Sequence, residues 1–510
     1  MEAIYFLMVV FREPFLIALV AIGTFAGVYI GAIPGISGTM AISLLVSLTF
    51  GWPVNQAMAI MVGVFVGVVY GAARPAILLN IPGGPSAVAT GLDGYPLAKK
   101  GLAGKAMGLS AISSFFGTFA GIIALAAFAP PIAAIAMRFR SVDYLMLAFM
   151  GLMMAGSLGS KTIVRGIIAG AIGLFIGTIG IDPQTAVRRF TFDIRHLNAG
   201  VDFIVAMVGL FGASEVLQQI ADKKSRPIKQ DVKKIVPSWS ESIKHFPLTV
   251  KSSVIGVLVG VLPGAGGDIA ALLAYDQAKR SVKKPTAPFG QGAVEGVIAP
   301  ETANSAAVGG AFIPMLTIGI PGDAVTAVLI SAMFIHGLRP GPGFMAAFPQ
   351  FYWMIIALLV LAAVFLLAAG LTGIKVFTKI VEVPKGILMP IVLILSVIGS
   401  FAMRNNVNDI VWMFGFGLLG YILKRFDYPI APIILGLILS TLFESNFRRA
   451  VMLEGSIPAI FTGILQSPIS IFLFSLIIFL MITQTDMYKN WRKKLGAKLE
   501  ERCGSKTKGE

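Results

Sequence analysis

"GVLVGVLPGAGGDIAAL", residues 256–272, breaks a run apolar enough to cross a membrane with Pro263 and a cluster of glycines. The surrounding composition decides what that break means. Of 510 residues, 56% are hydrophobic and 13% are charged, and the mean hydropathy is +0.85. A soluble protein cannot cover itself with so little polar surface. Apolar runs such as "FLIALVAIGTFAGVYIGAI" and "YWMIIALLVLAAVFLLAAG" recur along the chain, each long enough to span about 30 Å of hydrocarbon as a helix. The fold class that follows is an all-α integral membrane protein, with roughly eleven to twelve transmembrane helices and re-entrant or broken-helix hairpins. A transmembrane β-barrel would instead alternate apolar and polar residues in short segments, and this chain does not.

Charge sets the topology. The net charge of +16 is carried in short connections such as "KKSRPIKQDVKK" (223–234) and in the tail "YKNWRKKLGAKLEERCGSKTKGE". This is positive-inside patterning, not a nucleic-acid surface, and it places both segments, including the C-terminus, in the cytoplasm. The segment from Ser252 to Tyr275 has Lys251 on one side and "KRSVKK" (279–284) on the other. A hairpin that dips in, turns at Pro263 to Gly267 and returns keeps both basic flanks on one face. The first apolar stretch, "AIYFLMVVF", follows Glu2 and ends at Arg12-Glu13-Pro14, which is not the pattern of a cleavable signal. One cysteine, Cys503, and His196, His245 and His336 leave no disulfide framework and no metal-ligand set, so neither a metal nor a cofactor is expected.

The break has a twin. "GVYIGAIPGISG" (27–38) aligns without gaps on "GVLVGVLPGAGG" (256–267), and "YGAARPAILLNIPGG" (70–84) on "GGAFIPMLTIGIPGD" (309–323). Two motifs in the same order point to duplication. The expected organisation is a first transmembrane repeat at 1–225, a basic connection and interfacial segment at 226–252, a second, inverted repeat at 253–485, and a basic tail at 486–510. Corresponding broken helices that meet near the midplane are where secondary transporters place their sites.

Unwound backbone at membrane depth needs protein or a water-filled cavity around it. Half-helix N-termini there offer N–H groups and partial positive charge to an anion, and half-helix C-termini offer carbonyls to a cation. The candidate substrate residues are therefore Gly35, Ser37, Gly38, Thr39, Asn80, Gly83, Ser86, Gly264, Gly266, Gly267, Gly322 and Thr326, with Arg74 as a fixed cation able to hold a carboxylate bidentately. The candidate coupling-ion residues are Asp268, Asp323 and, within "EGVIAPETANSAAVGG", Glu301, Asn304 and Ser305, which share a helix face. The same Ser, Thr and Asn residues could equally cap helix ends or bridge helices, and Arg74 could pair with an internal acid.

These stretches, together with "GTIGIDPQTAVRRFTF", "LPGAGGDIAALLAYDQAKR" and "YPIAPIILGLILSTLFESNFRRA", resemble the large membrane subunit of the tripartite tricarboxylate transporters, the TctA family. The resemblance runs from about residue 20 to 455, in the family's order, and departs at Arg74-Pro75, where a small or hydroxyl residue is expected. It implies uptake of a di- or tricarboxylate across the bacterial inner membrane with Na⁺ or H⁺. It also implies two partners, a small membrane subunit and a periplasmic solute-binding protein, and it puts the substrate and ion region at Pro34 to Gly38, Asn80 to Ser86, Pro263 to Asp268 and Ile320 to Asp323. Membrane lipid is the remaining partner, and homo-oligomerisation is left open. A channel independent of any binding protein is the alternative, but separated breaks do not make a polar-striped pore. No nucleophile–base pair or phosphate loop suggests an enzyme, since "GAGGD" lacks the lysine.

Overall fold

Prolines, glycines and small polar residues divide the apolar chain into helices, seen here in a computed structural model that describes residues 10–33, 36–80, 83–158, 163–182, 185–221, 239–373 and 385–484. Helix α1 (Pro14–Gly31) opens on a proline, whose absent N–H is no loss in a first turn. After a break, α2 (Gly38–Leu48) begins under Ser37, whose side chain accepts the Met40 N–H. Helices α3 (Val54–Gly71) and α4 (Ala73–Leu79) follow, and α4 ends at Asn80 in the left-handed region. Then α5 (Ala87–Leu97) passes through a π-helical turn, with Gly101 at φ +77°, into the long α6 (Ala103–Ala136).

Next come α7 (Ser141–Leu158), α8 (Ile163–Gly177) and a small antiparallel ribbon of β1 (Gly180–Ile181) and β2 (Arg188–Arg189). Helices α9 (Phe203–Met207) and α10 (Ser214–Ala221) are joined by a π-helical stretch. The later part of the chain holds α11 (Trp239–Lys244), α12 (Phe246–Val261), α13 (Gly266–Ser281), α14 (Glu295–Ile318), α15 (Ala324–Ile335) and α16 (Phe344–Ala347). It closes with α17 (Pro349–Thr372), α18 (Lys385–Arg404), α19 (Val407–Arg425), α20 (Ala431–Glu454), α21 (Ile460–Gln466) and α22 (Pro468–Gln484).

Polar contacts fix which ends lie together. At one end Lys105 pairs with Glu241, Lys100 reaches the Gln291 carbonyl, and Asp93 accepts the backbone N–H groups of Gly290, Gly292 and Ala293. At the other end Arg189 and Arg448 pair with Glu444, Arg448 also with Asp182, and Arg404 with Asp409. His245, just before α12, and Thr286, just after α13, both hydrogen-bond Glu295. Both outer ends of the α12–α13 pair therefore sit at the lysine-rich end, and the quoted segment is a hairpin that enters and returns. The α1–α2 pair enters from the arginine-rich end: α1 runs alongside α3 in the same direction, and Ser47, near the end of α2, lies by Gly399 near the outer end of α18.

Glycine allows the close approaches on which both hairpins rest. A methyl group on Gly31 would lie 2.5 Å from the Val68 carbonyl oxygen, and one on Gly260 would lie 2.5 Å from that of Ala307. Gly83 abuts Gly31 and Ala72, while Gly322 abuts Gly260 and Ala311. Gly31 with Gly260, Ala72 with Ala311 and Gly83 with Gly322 are matched pairs in the aligned motifs, and Val68 and Ala307 stand two residues before the second pair of motifs in the same register.

Among the described residues five helices are long and apolar enough to cross a membrane, and six if the α21–α22 pair, bent by 108°, counts as one span. Besides these, the described residues hold seven shorter apolar helices of 10–17 residues, and length alone does not say which of them cross. Hairpin arms such as α12 and α13 are apolar without spanning, and α14 carries Glu295, Glu301 and Asn304 within its length. Large side chains such as Ile123, Leu258 and Phe472 are exposed on the outer surface, where lipid is the solvent.

Candidate functional site

Four helix N-termini converge on one cavity of about 420 Å³. They belong to α2, through Ser37, Gly38 and Thr39; α5, through Gly83 to Ser86; α13, through Gly264 to Ile269; and α15, through Asp323 to Val325. Each N-terminus leaves backbone N–H groups without helical partners and so contributes positive potential to the wall, against which the carboxylates of Asp268, Asp323 and Glu215 are set. Val68, Val308 and Phe65 supply apolar wall, and Glu215 of α10 with Ala431 and Leu435 of α20 closes the side opposite the hairpins.

The four N-termini are not equivalent. Asp323 caps its own helix, accepting the Thr326 N–H at 2.7 Å, and Thr326 returns a bond to the Asp323 backbone. Ser86 has no side-chain cap on α5; instead its N–H donates at 3.0 Å to Asp268, a carboxylate from the other hairpin. The α2 terminus holds only the neutral Ser37 hydroxyl, 2.9 Å from that of Thr39. The α13 terminus has no side-chain cap at all. Two carboxylates are thus already seated at these starts, Asp268, which belongs to the first turn of α13 and reaches the α5 start, and Asp323 on α15, and α2 alone of the four has none in or against its first turn. A hydrogen bond to a charged partner is worth about 1.5–3 kcal/mol, so this difference decides where an anion sits.

Gly266, at φ +59°, and Gly267 form the α13 tip, and a methyl group on Gly267 would collide with the Asn304 side-chain oxygen. Asn304, on α14, lines the cavity and donates to the Val69 carbonyl at 3.3 Å. The Gly264 N–H donates at 2.8 Å to the Gly322 carbonyl, tying this tip to the break before α15.

Of the residues singled out in the sequence, Ser37, Gly38, Thr39, Gly83, Ser86, Gly264, Gly266, Gly267, Asp268, Asn304 and Asp323 line this cavity. Gly322 and Thr326 stand one layer behind, in the tip contact and the capping box. Asn80 is exposed at the end of α4, and Gly35 lies outside the described residues. Arg74 is 1% exposed and does not line the cavity. Its guanidinium donates to the Tyr70 hydroxyl at 2.8 Å and the Gly370 carbonyl at 3.2 Å, and sits 4.7 Å from the centre of the Tyr70 ring. Glu301 is likewise buried behind the wall, accepting hydroxyls from Thr90 at 2.6 Å, Ser110 at 2.7 Å and Ser114 at 3.3 Å. Ser305 is buried close by on the same helix.

Sequence reading passed over Glu215, Ala431, Leu435, Tyr70, Thr90, Ser110 and Ser114. For two of them a signal was available, because Ser110 and Ser114, followed by Thr118, recur at helical spacing in an otherwise apolar run. The wall residues carry none, since an ordinary Ala or Leu says nothing of what it faces. Among the described residues no group of His, Cys, Asp and Glu side chains is disposed to hold a metal ion.

The sequence model of the tripartite tricarboxylate transporter TctA family matches residues 17–435. An uncharacterized 52.8 kDa protein in the TAR-I ttuC' 3' region of Agrobacterium vitis is 34% identical over 436 residues, covering 85% of this chain and 86% of that protein. An uncharacterized protein in the TAR-II ttuC' 3' region of the same organism is 38% identical over 199 residues, covering 39% of this chain and 82% of that protein.

Proposed function

The chain belongs to the tripartite tricarboxylate transporter TctA family, and we propose that it is the subunit through which a carboxylate crosses the bilayer, at the cavity where the four helix N-termini meet. Family membership makes it a multi-pass transporter subunit and not an enzyme. The observation that carries the reading is that convergence: an anion is held by backbone dipoles and N–H groups, with no fixed cation at the cavity to bind it too tightly for release. The lysine-rich end is cytoplasmic on this reading, in the bacterial inner membrane. Uptake is driven by a cation gradient. The family's tripartite organisation supplies the partners, a small membrane subunit and a periplasmic solute-binding protein that delivers a di- or tricarboxylate.

Of the four starts α2 alone has no carboxylate in or against its first turn, and a carboxylate of the substrate seats there. The test is reconstitution of the full chain with both partners in vesicles, with radiolabelled citrate and succinate as probes and pH and Na⁺ gradients imposed separately. Accumulation that collapses with the gradient is the expected result. Uptake that only equilibrates, and does so equally with both gradients dissipated, refutes secondary transport.

A further inference from the structure

Glu301 is a buried carboxylate that contacts neither the cavity nor the bilayer surface, and nothing in carboxylate binding at the cavity requires it. It lies where α5, α6 and α14 meet, its Oε1 facing Thr90 and its Oε2 facing Ser110 and Ser114. The other charged and titratable groups on the helices around it have partners or lie toward helix ends: Tyr95 on α5 faces Lys99, Lys251 on α12 is exposed, Asp276 on α13 pairs with Arg280, Lys279 is in the last turn of α13, and Glu295, at the start of α14 itself, is held by His245 and Thr286. Asp93 on α5 is engaged by Tyr275 of α13 and the 290–293 backbone, Lys105 on α6 pairs with Glu241, and Asp268 on α13 faces the cavity. On α3 and α4, Tyr70 and Arg74 are bonded to one another.

This surrounding suits a proton and not a metal cation. A hard cation needs several oxygens with lone pairs turned toward it, in a space it can occupy. Here the residue, 1% exposed, is not among those lining the cavity, and three hydroxyls already lie 2.6–3.3 Å from the carboxylate oxygens. A proton needs no such space. One hydroxyl rotates from donor to acceptor as the carboxylate becomes a carboxylic acid, because a hydroxyl serves in either sense.

The position also links Glu301 to the cavity. Asn304, three residues along α14, stands against the α13 tip, and Thr90 sits on the helix whose first N–H, that of Ser86, holds Asp268. Changing the charge at Glu301 therefore acts on two helices that reach the site.

We propose that Glu301 is the proton-binding site of the transport cycle, loaded on the periplasmic face and unloaded on the cytoplasmic face. The proposal rests on the carrier reading above and makes the coupling ion a proton. The proton taken up from one side neutralises the carboxylate; its release to the other side restores it.

Vesicles holding the full chain with its two partners separate the two ideas, using radiolabelled citrate and succinate as probes. A gradient of one pH unit sustains about a tenfold accumulation per proton, the equivalent of 1.4 kcal/mol. Glu301→Gln is expected to keep probe exchange across the membrane, while pH-driven accumulation falls from up to about tenfold to about onefold. Glu301→Asp, which keeps the carboxylate, is expected to restore accumulation in part. Glu301→Gln accumulating like the wild type on a pH gradient overturns the proposal, as does wild-type accumulation driven by Na⁺ alone. Loss of exchange in both variants, with each still monodisperse in detergent, makes Glu301 structural and also overturns it. Absence of exchange by the wild type fails the carrier reading itself, and this proposal with it.

Discussion

At the α1–α2 tip the residue after Gly38 is Thr39, a neutral side chain paired with Ser37, whereas at the matching point of the α12–α13 tip the residue after Gly267 is Asp268, a carboxylate that reaches across to the start of α5. Behind both tips the packing is the same. Gly31 meets Val68 as Gly260 meets Ala307, and Gly83 meets Gly31 as Gly322 meets Gly260. Backbone packing is thus alike in register at the two tips while the charge facing the cavity differs. The comparison teaches that shape and chemistry at this site are separable: glycines set where the helix ends lie, and one side chain per tip sets what they attract.

The sharpest way to break the shared packing is to add one carbon to each half. Gly31→Ala and Gly260→Ala both drive a methyl group into a backbone carbonyl that cannot move aside as a side chain would, so each is expected to lower stability by about 3 kcal/mol. Thermal unfolding of the purified variants in detergent checks this, and a silent change at one glycine beside a large one at the other would end the equivalence. The divergent chemistry is probed next. Asp268→Asn removes the charge from the bond to Ser86 and is expected to slow carboxylate uptake about 10- to 100-fold, whereas Thr39→Val, which removes only a neutral bond, changes it about threefold. Equal effects at the two positions would mean that the carboxylate is not what distinguishes the tips.

The smallest effect concerns how one hairpin is anchored. The Glu295 hydrogen bond raises the pKa of His245 above its ordinary value, outweighing the opposing effect of burial. A histidine whose folded pKa is raised contributes stability that is whole below about pH 6.5 and is lost as the pH rises through the folded value. His245→Ala is therefore expected to cost about 1 kcal/mol at most in mildly acid buffer, the pair being partly solvated, and almost nothing well above neutrality. Unfolding curves across that range decide it. A pH-independent penalty would mean that the imidazole acts by packing alone. The α1–α2 hairpin supplies the control, since Thr49 and Trp52 close its outer turn through a backbone bond that does not titrate.

The hairpin tips could be read from the sequence because a proline and several glycines within an apolar run have a strong physical meaning, and because the motifs recur in register. Most residues named for the tips do line the cavity. What could not be read depends on contacts between distant parts of the chain. Arg74 looked like an anion ligand by its chemistry, but its partner carbonyl on Gly370 lies 296 residues away on α17, and nothing in the local pattern announces it. The number of spans depends on contacts of the same kind. Apolar length reports that a segment avoids water; whether it crosses or turns back is settled by what the loops at its ends are bonded to, as Glu295 is to both flanks of α12 and α13.

One consequence of the bond from Ser86 to Asp268 concerns time more than affinity. A carboxylate tethered within reach of a helix start is a resident competitor, present at a local concentration no dissolved anion can match. On the carrier reading, a soluble carboxylate that enters the cavity cannot settle at that start without displacing this resident, so the α5 start favours brief occupancy. A receptor would be poorly served by such an arrangement, whereas a protein that must release its cargo on every cycle gains from it.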